Sequence, residues 1–315
     1  MSIEGTKIAI VGAGRVGSTL AYTLASSGVA REIVVIDANR ERAEGEAMDI
    51  AHAVPFYAPV SVKPGGLADA AGAAVTVIAA GAAQREGESR PALLIRNVEV
   101  LRGIVTEVVR ANPEGLLLIA TNPVDALTFV ALRLSGLPPA RVFGSGTVLD
   151  TARLRAELSA HYGVDARNVH AYVLGEHGDS ELVAWSAASL ANVPLEEFAR
   201  LSGMSCTDKG MAAIAARVRD AAYEIIRRKG ATNFAIASAL TRIIEAVVRD
   251  QASVLTVSTL VDGHYGIHGV CLSLPAIVDR SGIRRVLPIP LSEEEVGGLR
   301  RSADAVRDAV SHAGF

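Results

Sequence analysis

A glycine-rich turn, Gly12 to Gly17, restricts the fold most, because it joins a short apolar run directly to an amphipathic helical pattern. The same unit, an apolar run followed by a longer amphipathic stretch, repeats through the first half of the chain. Apolar runs typical of buried parallel strands cover Ile8–Val11, Ile33–Ile36, Val75–Ala80, Leu116–Ala120 and Val142–Phe143. Helical patterns between them cover Ser18–Ser27, Arg40–Val54, Pro91–Ala111 and Val124–Leu134. This alternation predicts an α/β fold with an open, doubly wound parallel sheet.

The pattern changes after about residue 145. A predicted helix from Thr151 to His161 is followed by short alternating runs at 169–174 and 181–190, as in antiparallel strands. Further helices are predicted over Asp208–Lys229, over Phe234–Asp250 and from Ser292 onward, and strand-like runs over 253–260, 270–279 and 284–288. We therefore expect an N-terminal domain over 1–145 and an α+β substrate domain over 146–315, with the site between them.

The glycine-rich turn is also a candidate dinucleotide site of the Rossmann type. Gly12, Gly14 and Gly17 allow a tight turn, close approach of the backbone to a pyrophosphate, and close helix–strand packing. Asp37 ends the next predicted strand, twenty residues after Gly17, where it would meet the ribose hydroxyls of NAD and repel the 2′-phosphate of NADP. The alternative is a tight strand–helix turn with a capping aspartate.

Two segments in the middle of the chain carry the parts needed for proton transfer beside a carboxylic acid. Asp150–Arg153 supplies a carboxylate and a guanidinium, and Gly175–Asp179 supplies His177. Imidazole exchanges protons near neutral pH, and a carboxylate behind it fixes its tautomer. Arginine matches a carboxylate with two hydrogen bonds. Each residue alone has an ordinary alternative, a surface histidine or a surface charge.

Composition narrows the classes of partner. The formal charge of -3 and the dispersed basic residues predict neither nucleic acid nor an anionic membrane as partner. The apolar runs are too short to span a bilayer, and residues 1–6 lack a signal-peptide pattern. The two cysteines, Cys206 and Cys271, form no disulfide framework, so a location in the reducing cytoplasm is expected. The histidines and cysteines show no metal-ligand spacing, so no metal is expected.

Taken together, the motifs resemble those of the L-lactate/L-malate dehydrogenase family along essentially the full length of the chain. They are the Gly12–Gly17 turn and the segments Gly81–Arg90, Ala120–Asp125, Asp150–Arg153 and Gly175–Ser180. The fold and the NAD chemistry that this resemblance implies agree with the interpretation of the residues themselves.

The resemblance implies a role for each matching residue. His177 resembles the proton donor and acceptor, Asp150 its orienting carboxylate, and Arg153 the clamp for the substrate carboxylate. Arg90 resembles the cation that polarises the reacting carbonyl as a loop closes, and Asn122 a donor to the same oxygen.

Further positions match family residues that line the substrate and cofactor sites. Thr232 resembles a residue beside the substrate, although it could also be a helix N-cap. The implied NAD-binding residues are Gly12, Gly14, Val16, Gly17, Asp37, Arg42, Gly81, Ala82, Asn122, Ser145 and Ile236.

The choice of substrate within the family depends on the loop before Arg90. The malate pattern usually has arginine at Gln84 and methionine at Glu88, whereas a neutral Gln84 and an acidic Glu88 disfavour a second carboxylate. Thr232 also resembles the lactate type, so pyruvate is the expected substrate. Arg85 leaves an alternative open, because a shifted loop would present its charge, and Glu86 replaces a usual proline.

Two more residues resemble an effector site. Arg155 and His170 match positions that bind fructose 1,6-bisphosphate at a subunit interface in allosteric bacterial members of the family. Repeated across a two-fold axis, they would form a basic pocket suited to a bisphosphate. The alternative is two ordinary surface residues. A homotetramer assembled with help from the effector is expected, since the short N-terminus lacks a long exchanged arm.

The chain is thus expected to be an NAD-dependent oxidoreductase of the lactate type that interconverts pyruvate and L-lactate. The alternative within the family is the malate type. The alternative from another class is a non-catalytic NAD(H)-sensing protein, which has no use for the paired His177 and Asp150 or for two arginines facing a substrate.

Overall fold

A computed structural model describes residues 6–82 and 90–315, with the backbone alone at Arg90 and Pro91. Its strands are β1 Lys7–Val11, β2 Glu32–Ile36, β3 Ser61–Gly65, β4 Val75–Ile78, β5 Leu116–Ile119, β6 Val142–Gly144, β7 Val169–His170, β8 Val173–Leu174, β9 Leu182–Val183, β10 Ser189–Leu190, β11 Val193–Pro194, β12 Ser253–Val261, β13 Val270–Asp279 and β14 Gly282–Val286. Its α-helices are α1 Arg15–Ser27, α2 Arg40–Ala53, α3 Arg90–Ala111, α4 Val124–Ser135, α5 Val148–Tyr162, α6 Leu195–Ser202, α7 Asp208–Lys229, α8 Phe234–Val248 and α9 Glu293–His312.

The first half forms a parallel sheet in the order β3-β2-β1-β4-β5-β6. This is the strand order of a doubly wound dinucleotide-binding fold, and it reverses direction between β1 and β4. The Gly12–Gly17 turn follows β1 at that point. The predicted α/β class and the doubly wound Rossmann sheet are therefore confirmed.

Both faces of the sheet are covered, which explains why its strands are continuously apolar. Ile8 and Ile10 of β1 pack with side chains of α1, α2 and α8. Ala9 and Val11, which alternate with them, pack with side chains of α3, α4 and α9 on the other face. The sheet thus forms the middle of three layers.

The second half of the chain continues the same sheet with antiparallel strands. β12 pairs with β6 through Ser258 and Gly144, and β13 and β14 follow in the order β14-β13-β12-β6. Side chains of α5, α6 and α7 and of the short strands β7 to β10 form a separate hydrophobic cluster. This α+β arrangement follows the parallel sheet, as predicted. The boundary between domains at residue 145 stays a prediction.

The structure contains elements that the pattern of the sequence did not predict, including β3, α6 and β11. The edge strand β3 is half-exposed and contains Pro64, so it lacks the apolar run by which the other parallel strands were recognised. Helix α6 has eight residues, and its segment is too short to show a clear helical pattern. The last strand, β14, lies at Gly282–Val286 rather than at 284–288.

The final helix begins where predicted, with Ser292 as the N-cap of a capping box. The Ser292 side chain accepts a hydrogen bond from the Glu295 backbone N–H, and the Glu295 side chain accepts one from the Ser292 backbone N–H. Across the described ranges, none of the helices has both the length and the hydropathy required of a membrane span.

Candidate functional site

The turn after β1 has a geometry that requires glycine at two positions. Gly12 has a φ of +108°, and a Cβ atom there would lie 2.5 Å from the backbone nitrogen of Ala80. A Cβ atom on Gly17 would lie 1.8 Å from the carbonyl oxygen of Gly12. The first constraint shapes the turn and the second lets α1 pack directly on it.

The start of α1 fits the pyrophosphate of a dinucleotide. Among the described residues no side chain caps this helix, its first turn holds no acid, and open space surrounds a Cβ built on Gly14. The free N–H groups and the helix dipole therefore favour an anion there. By contrast, the Asn39 side chain caps α2 by accepting a hydrogen bond from the Arg42 backbone N–H.

Asp37 lies at the end of β2 beside this turn. Its Oδ2 atom accepts a hydrogen bond from the Ala13 backbone N–H at 2.7 Å, and its Oδ1 accepts one from Asn39 at 2.8 Å. The half-buried carboxylate is thus held against the glycine-rich turn. Its charge is placed where it would accept ribose hydroxyls and repel a 2′-phosphate.

Asn97 on α3 ties together two predicted cofactor segments, and the sequence analysis did not identify it. Its side chain accepts a hydrogen bond from the Ala82 backbone N–H at 2.7 Å and donates one to the Asn122 carbonyl at 3.1 Å. Gly81 sits so closely on Thr121 that a Cβ atom would lie 2.5 Å from its methyl group. A polar residue on the buried face of an amphipathic helix was the signal that could have revealed Asn97.

The remaining predicted cofactor residues lie around the carboxyl ends of the strands. Val16 is in the first turn of α1, and Ser145 follows β6 and is buried. Ile236 is on α8 and packs against the core beneath α1 and α2. Arg42 is in the first turn of α2 and is exposed. Their contacts with NAD stay predictions.

The predicted proton-transfer residues form a connected group. Nδ1 of His177 lies 2.6 Å from Oδ2 of Asp150, and a guanidinium nitrogen of Arg153 lies 2.7 Å from Oδ1 of the same carboxylate. Helix α5 carries Asp150 and Arg153 one turn apart, and the loop after β8 carries His177. Residues 27 positions apart in sequence are thus brought into hydrogen-bonding distance.

The charges of this group hold each other in place. Burial lowers the pKa of His177, but the Asp150 carboxylate outweighs this effect and raises it to about 9. Burial raises the pKa of Asp150, but His177 and Arg153 more than offset it, and the net shift is downward. Near neutral pH the pair is therefore an imidazolium and a carboxylate, with the His177 Nδ1 proton on the Asp150 side.

The side chain of Asp125 holds the backbone of His177. No role was assigned to this aspartate from the sequence. This aspartate is 1% exposed, and its Oδ2 accepts a hydrogen bond from the His177 backbone N–H at 2.7 Å. Its Oδ1 has no hydrogen-bond partner among the described residues. Burial raises the pKa of Asp125 to about 6, against the nearby Ser258 hydroxyl and the His177 N–H, which both lower it. In the sequence, the sign of this role was that Asp125 is the acid that ends the Ala120–Asp125 motif.

These residues open onto a cavity of about 410 Å³. Its lining includes Asn122, Asp150, Arg153 and His177, so the structure brings these four predicted residues together. A guanidinium has five N–H donors, which leaves Arg153 with donors for a ligand in addition to its bond to Asp150. Helix α7 and the end of α9 form the opposite wall.

Three predicted substrate residues are not seen at this cavity. Gln84 lies outside the described residues, and so does the side chain of Arg90, whose backbone begins α3. Thr232 is half-buried between α7 and α8 and is not among the cavity-lining residues described. Asn233, not Thr232, is the residue that precedes α8, so the N-cap alternative for Thr232 is not supported.

One further acid, Glu181, belongs to the same cavity. A ring nitrogen of His177 and carboxylate oxygens of Asp150 and Glu181 all lie within 4.8 Å of one another. This is the one such cluster of histidine and carboxylate groups within 6–82 and 90–315. Both Asp150 oxygens already accept bonds from His177 and Arg153, so we interpret the cluster as an acid–base network. Its position directly after the Gly175–Ser180 motif was the signal in the sequence.

The two predicted effector residues line a second cavity, of about 660 Å³. Arg155 on α5 donates two hydrogen bonds to the Ala166 carbonyl, at 3.1 and 3.3 Å. His170 on β7 is exposed. Arg242 of α8 lines the same cavity, and it supplies a second guanidinium there.

Comparisons with known proteins agree with this geometry. Residues 6–144 match the family model of the lactate/malate dehydrogenase NAD binding domain, and residues 147–313 match that of the alpha/beta C-terminal domain. Among curated relatives, the L-lactate dehydrogenase of Thermoanaerobacter sp. (strain X514) is 49% identical over 96% of this chain and 98% of its own. The L-lactate dehydrogenase of Clostridium perfringens (strain 13 / Type A) is 46% identical over 98% of this chain and 97% of its own.

Solved structures show the same similarity. MGS-M5, a lactate dehydrogenase from a Medee basin deep-sea metagenome library, superposes with a TM-score of 0.95 at 41% identity, covering 98% of this chain and 99% of its own. The minor L-lactate dehydrogenase of Enterococcus mundtii, in a ligand-bound form, gives 0.94 at 36% identity, with 97% and 98% covered. Because family models span nearly all of the sequence, the chain belongs to the lactate/malate dehydrogenase family of NAD-dependent oxidoreductases.

Proposed function

We propose that this enzyme is an L-lactate dehydrogenase, which reversibly transfers a hydride between NADH and pyruvate. The observation that carries the proposal is the Asp150 carboxylate, which holds His177 at 2.6 Å and Arg153 at 2.7 Å beside one cavity. Relatives with 46% to 49% identity that are named L-lactate dehydrogenase support the same substrate.

The roles of the residues follow from this arrangement. Arg153 binds the substrate carboxylate through its remaining donors. Because Nδ1 of His177 is bonded to Asp150, its Nε2 is the nitrogen that donates a proton to the carbonyl oxygen. The raised pKa of His177 keeps that proton available near neutral pH.

NADH, when bound, supplies the hydride that the carbonyl carbon receives. The C=O π bond then becomes a C–O single bond, and the His177 proton completes the hydroxyl group. Asn122, at the cavity wall, and Arg90, at the start of α3, would stabilise the negative charge that develops on the oxygen. Asp125 keeps the backbone of His177 in position.

The preference for pyruvate over oxaloacetate rests on Gln84 and Glu88. The experiment is the loss of NADH absorbance with each 2-oxo acid. We expect wild type to prefer pyruvate and Gln84→Arg to move the ratio of kcat/KM values toward oxaloacetate, because a cation then meets the second carboxylate. Arg85→Gln is the matched control and should leave the preference unchanged.

Two outcomes would contradict this assignment. A wild type that prefers oxaloacetate, with Arg85→Gln abolishing that preference, would make the chain a malate dehydrogenase in which Arg85 faces the substrate. Binding of NADH without turnover of any 2-oxo acid would favour an NAD(H)-sensing protein.

We also propose that fructose 1,6-bisphosphate activates the enzyme at the cavity lined by Arg155 and His170. The basic side chains of that cavity support the proposal, since phosphate groups favour paired guanidinium and imidazole donors. A homotetramer would double these groups across a two-fold axis. A cytoplasmic role in glycolysis and fermentation follows from the proposed reaction.

The effector proposal is tested by pyruvate saturation curves. Sigmoidal curves should become hyperbolic when the bisphosphate is added, and His170→Asn should require a higher bisphosphate concentration for the same change. Arg167→Gln, which removes an exposed arginine paired with Asp165, is the control. Saturation curves that do not change when the bisphosphate is added, measured while the enzyme is tetrameric, would reject the effector site.

A further inference from the structure

The acid Glu181 has no part in the reaction described above, yet it faces the groups that carry it out. Its carboxyl group lies within 4.8 Å of ligand-type atoms of both Asp150 and His177, and it lines the same cavity as Arg153. Glu181 is half-buried, between the His177 loop and β9. The protonation state of a carboxyl group in this position changes the electrostatic potential at the site where an anion would bind.

Charged and titratable groups face this cavity from each described element that packs around it. Helix α5 contributes Asp150 and Arg153, and the loop after β8 contributes Glu176, His177 and Asp179. Helix α7 contributes Arg219 and Tyr223. The last turn of α9 contributes His312. The cavity thus contains the guanidinium groups of Arg153 and Arg219, which attract a carboxylate, and acids that oppose it, of which Asp150 is the buried one.

The two neighbouring carboxyl groups differ in protonation. Burial raises the pKa of Glu181 and the nearby charge of Asp150 raises it further, whereas His177, Arg153 and Arg219 lower it, with a result of about 8. The pKa of Asp150 moves the other way. Near neutral pH, Asp150 is therefore a carboxylate and Glu181 a neutral acid, a division typical of paired carboxyl groups in active sites.

We propose that Glu181 determines the affinity of the cavity for its anionic substrate: protonated Glu181 admits the substrate carboxylate to Arg153, and ionised Glu181 excludes it. The proposal deepens the proposed function and rests on it, since the anion is the 2-oxo acid or the 2-hydroxy acid. Glu181 touches the ligand site but exchanges no proton with the reacting atoms.

The physical basis is the charge balance around Arg153. With Glu181 neutral, the buried Asp150 carboxylate is already paired with His177 and Arg153, and the incoming anion meets the remaining donors of Arg153. With Glu181 ionised, a second carboxylate competes with the ligand for Arg153 and repels it in a poorly solvated cavity. The neutral acid also has an O–H group that is able to donate to the bound carboxylate.

This role differs from that of His177 in a measurable way. Protonated His177 favours the 2-oxo acid and neutral His177 favours the 2-hydroxy acid, because the proton moves between them. Glu181 must be neutral for both ligands, because both carry the carboxylate. High pH should therefore weaken binding of lactate as well as of pyruvate.

The test uses oxamate, a non-reducible isostere of pyruvate, with the enzyme saturated by NADH. Its Kd and the number of protons taken up on binding are measured from pH 6.5 to 9.5, by calorimetry in buffers of different ionisation enthalpy. Since about one-tenth of a group with a pKa of about 8 is protonated at pH 9, Glu181 alone should weaken oxamate binding roughly tenfold at that pH.

Three variants separate this effect from others. Glu181→Gln should lose the tenfold factor and the corresponding proton uptake, while retaining the dependence due to His177. Glu181→Asp should keep an acid and so keep the uptake. Glu196→Gln removes an exposed carboxylate of α6 that is not among the residues lining this cavity, and it should behave as wild type.

Unchanged proton uptake and an unchanged pH profile in Glu181→Gln would overturn the proposal. So would a strengthening of lactate binding up to pH 9 that is the same in wild type and in this variant. If no 2-oxo acid is reduced but oxamate binding shows the Glu181 effect, the proposed function fails and the role of Glu181 stands. If Glu181→Gln is unfolded, Glu181→Ala replaces it in the same test, with the same expected loss of proton uptake and of the tenfold factor.

Discussion

The turn at Gly12–Gly17 and the cluster around His177 are two parts of the proposed active site, and they are built by different physical means. The turn works through its backbone: free N–H groups, a positive φ at Gly12, and the absence of a side chain at Gly17. The His177 cluster works through ionised side chains, which shift each other's pKa values because they are buried together. Cofactor binding at the turn therefore depends on the shape of a local segment, whereas the proton transfer proposed for His177 depends on charges from distant segments.

The largest expected effect removes the proton donor. His177→Asn should lower kcat/KM for pyruvate about 10³-fold, because a general acid contributes roughly 10² to 10⁴ in rate. NADH affinity should stay within about twofold, since the turn at Gly12–Gly17 is untouched. Steady-state kinetics and NADH fluorescence titration measure the two. A variant that kept a tenth of the wild-type kcat/KM would show that His177 is not the donor.

The reverse case changes the turn and leaves the charged cluster intact. Gly17→Ala should destabilise the fold by about 3 kcal/mol or more, because its Cβ atom would overlap the Gly12 carbonyl at 1.8 Å. Gly14→Ala is the matched control: it should retain stability but weaken NADH binding, since its Cβ atom points into the open space before α1. Thermal unfolding without cofactor and NADH titration separate the two. Equal stability of both variants would contradict the packing argument.

The charged cluster should also make stability depend on pH. Because the folded-state pKa of His177 is raised from 6.5 to about 9, its contribution is complete below pH 6.5 and is lost as the pH rises through 9. The loss is about 3 kcal/mol by the usual conversion of pKa shifts. Urea unfolding of wild type at pH 6 and pH 10 should show it, and His177→Asn should lack it. The exposed His52→Asn serves as control, and the idea fails if both variants behave alike.

The smallest expected effect comes from Asp37, a charged side chain that is bonded to the glycine-rich turn. Asp37→Ser should shift the ratio of NADPH to NADH affinity roughly tenfold toward NADPH, because the repulsion of the 2′-phosphate is removed. Some loss of NADH affinity should accompany it, since Asp37 also holds the Ala13 N–H. Glu41→Gln, an exposed acid in the first turn of α2, is the control. An unchanged ratio would remove Asp37 from cofactor selection.

Much of the fold was accessible from the sequence because its elements carry local patterns. The five predicted parallel strands and the helices between them were correct to within a few residues. The strand β3 was missed because an exposed edge strand does not need an apolar run. Helix α6 was missed because its eight residues are too few for a clear periodic signal.

The candidate site was accessible to a smaller degree. The residue types at Asp150, Arg153 and His177 indicated proton transfer, but Asn97, Asp125 and Glu181 were not identified. Asp125 and Asn97 act through contacts with other segments: the His177 backbone lies 52 positions from Asp125, and the Asn122 carbonyl lies 25 positions from Asn97. Glu181 joins the cluster through Asp150, on helix α5. No spacing pattern encodes such a contact.

The sequence alone established the class of sheet, and it indicated where the dinucleotide turn lies and which residue types would take part in proton transfer, because these depend on local patterns. Contacts between distant segments decided the rest: that Asp150 holds both His177 and Arg153, that Asp125 supports the His177 backbone, and that Glu181 joins them. Burial then set which of these groups are charged. The desolvation that shifts a pKa exists once the segments have packed together, and no run of residues displays it beforehand.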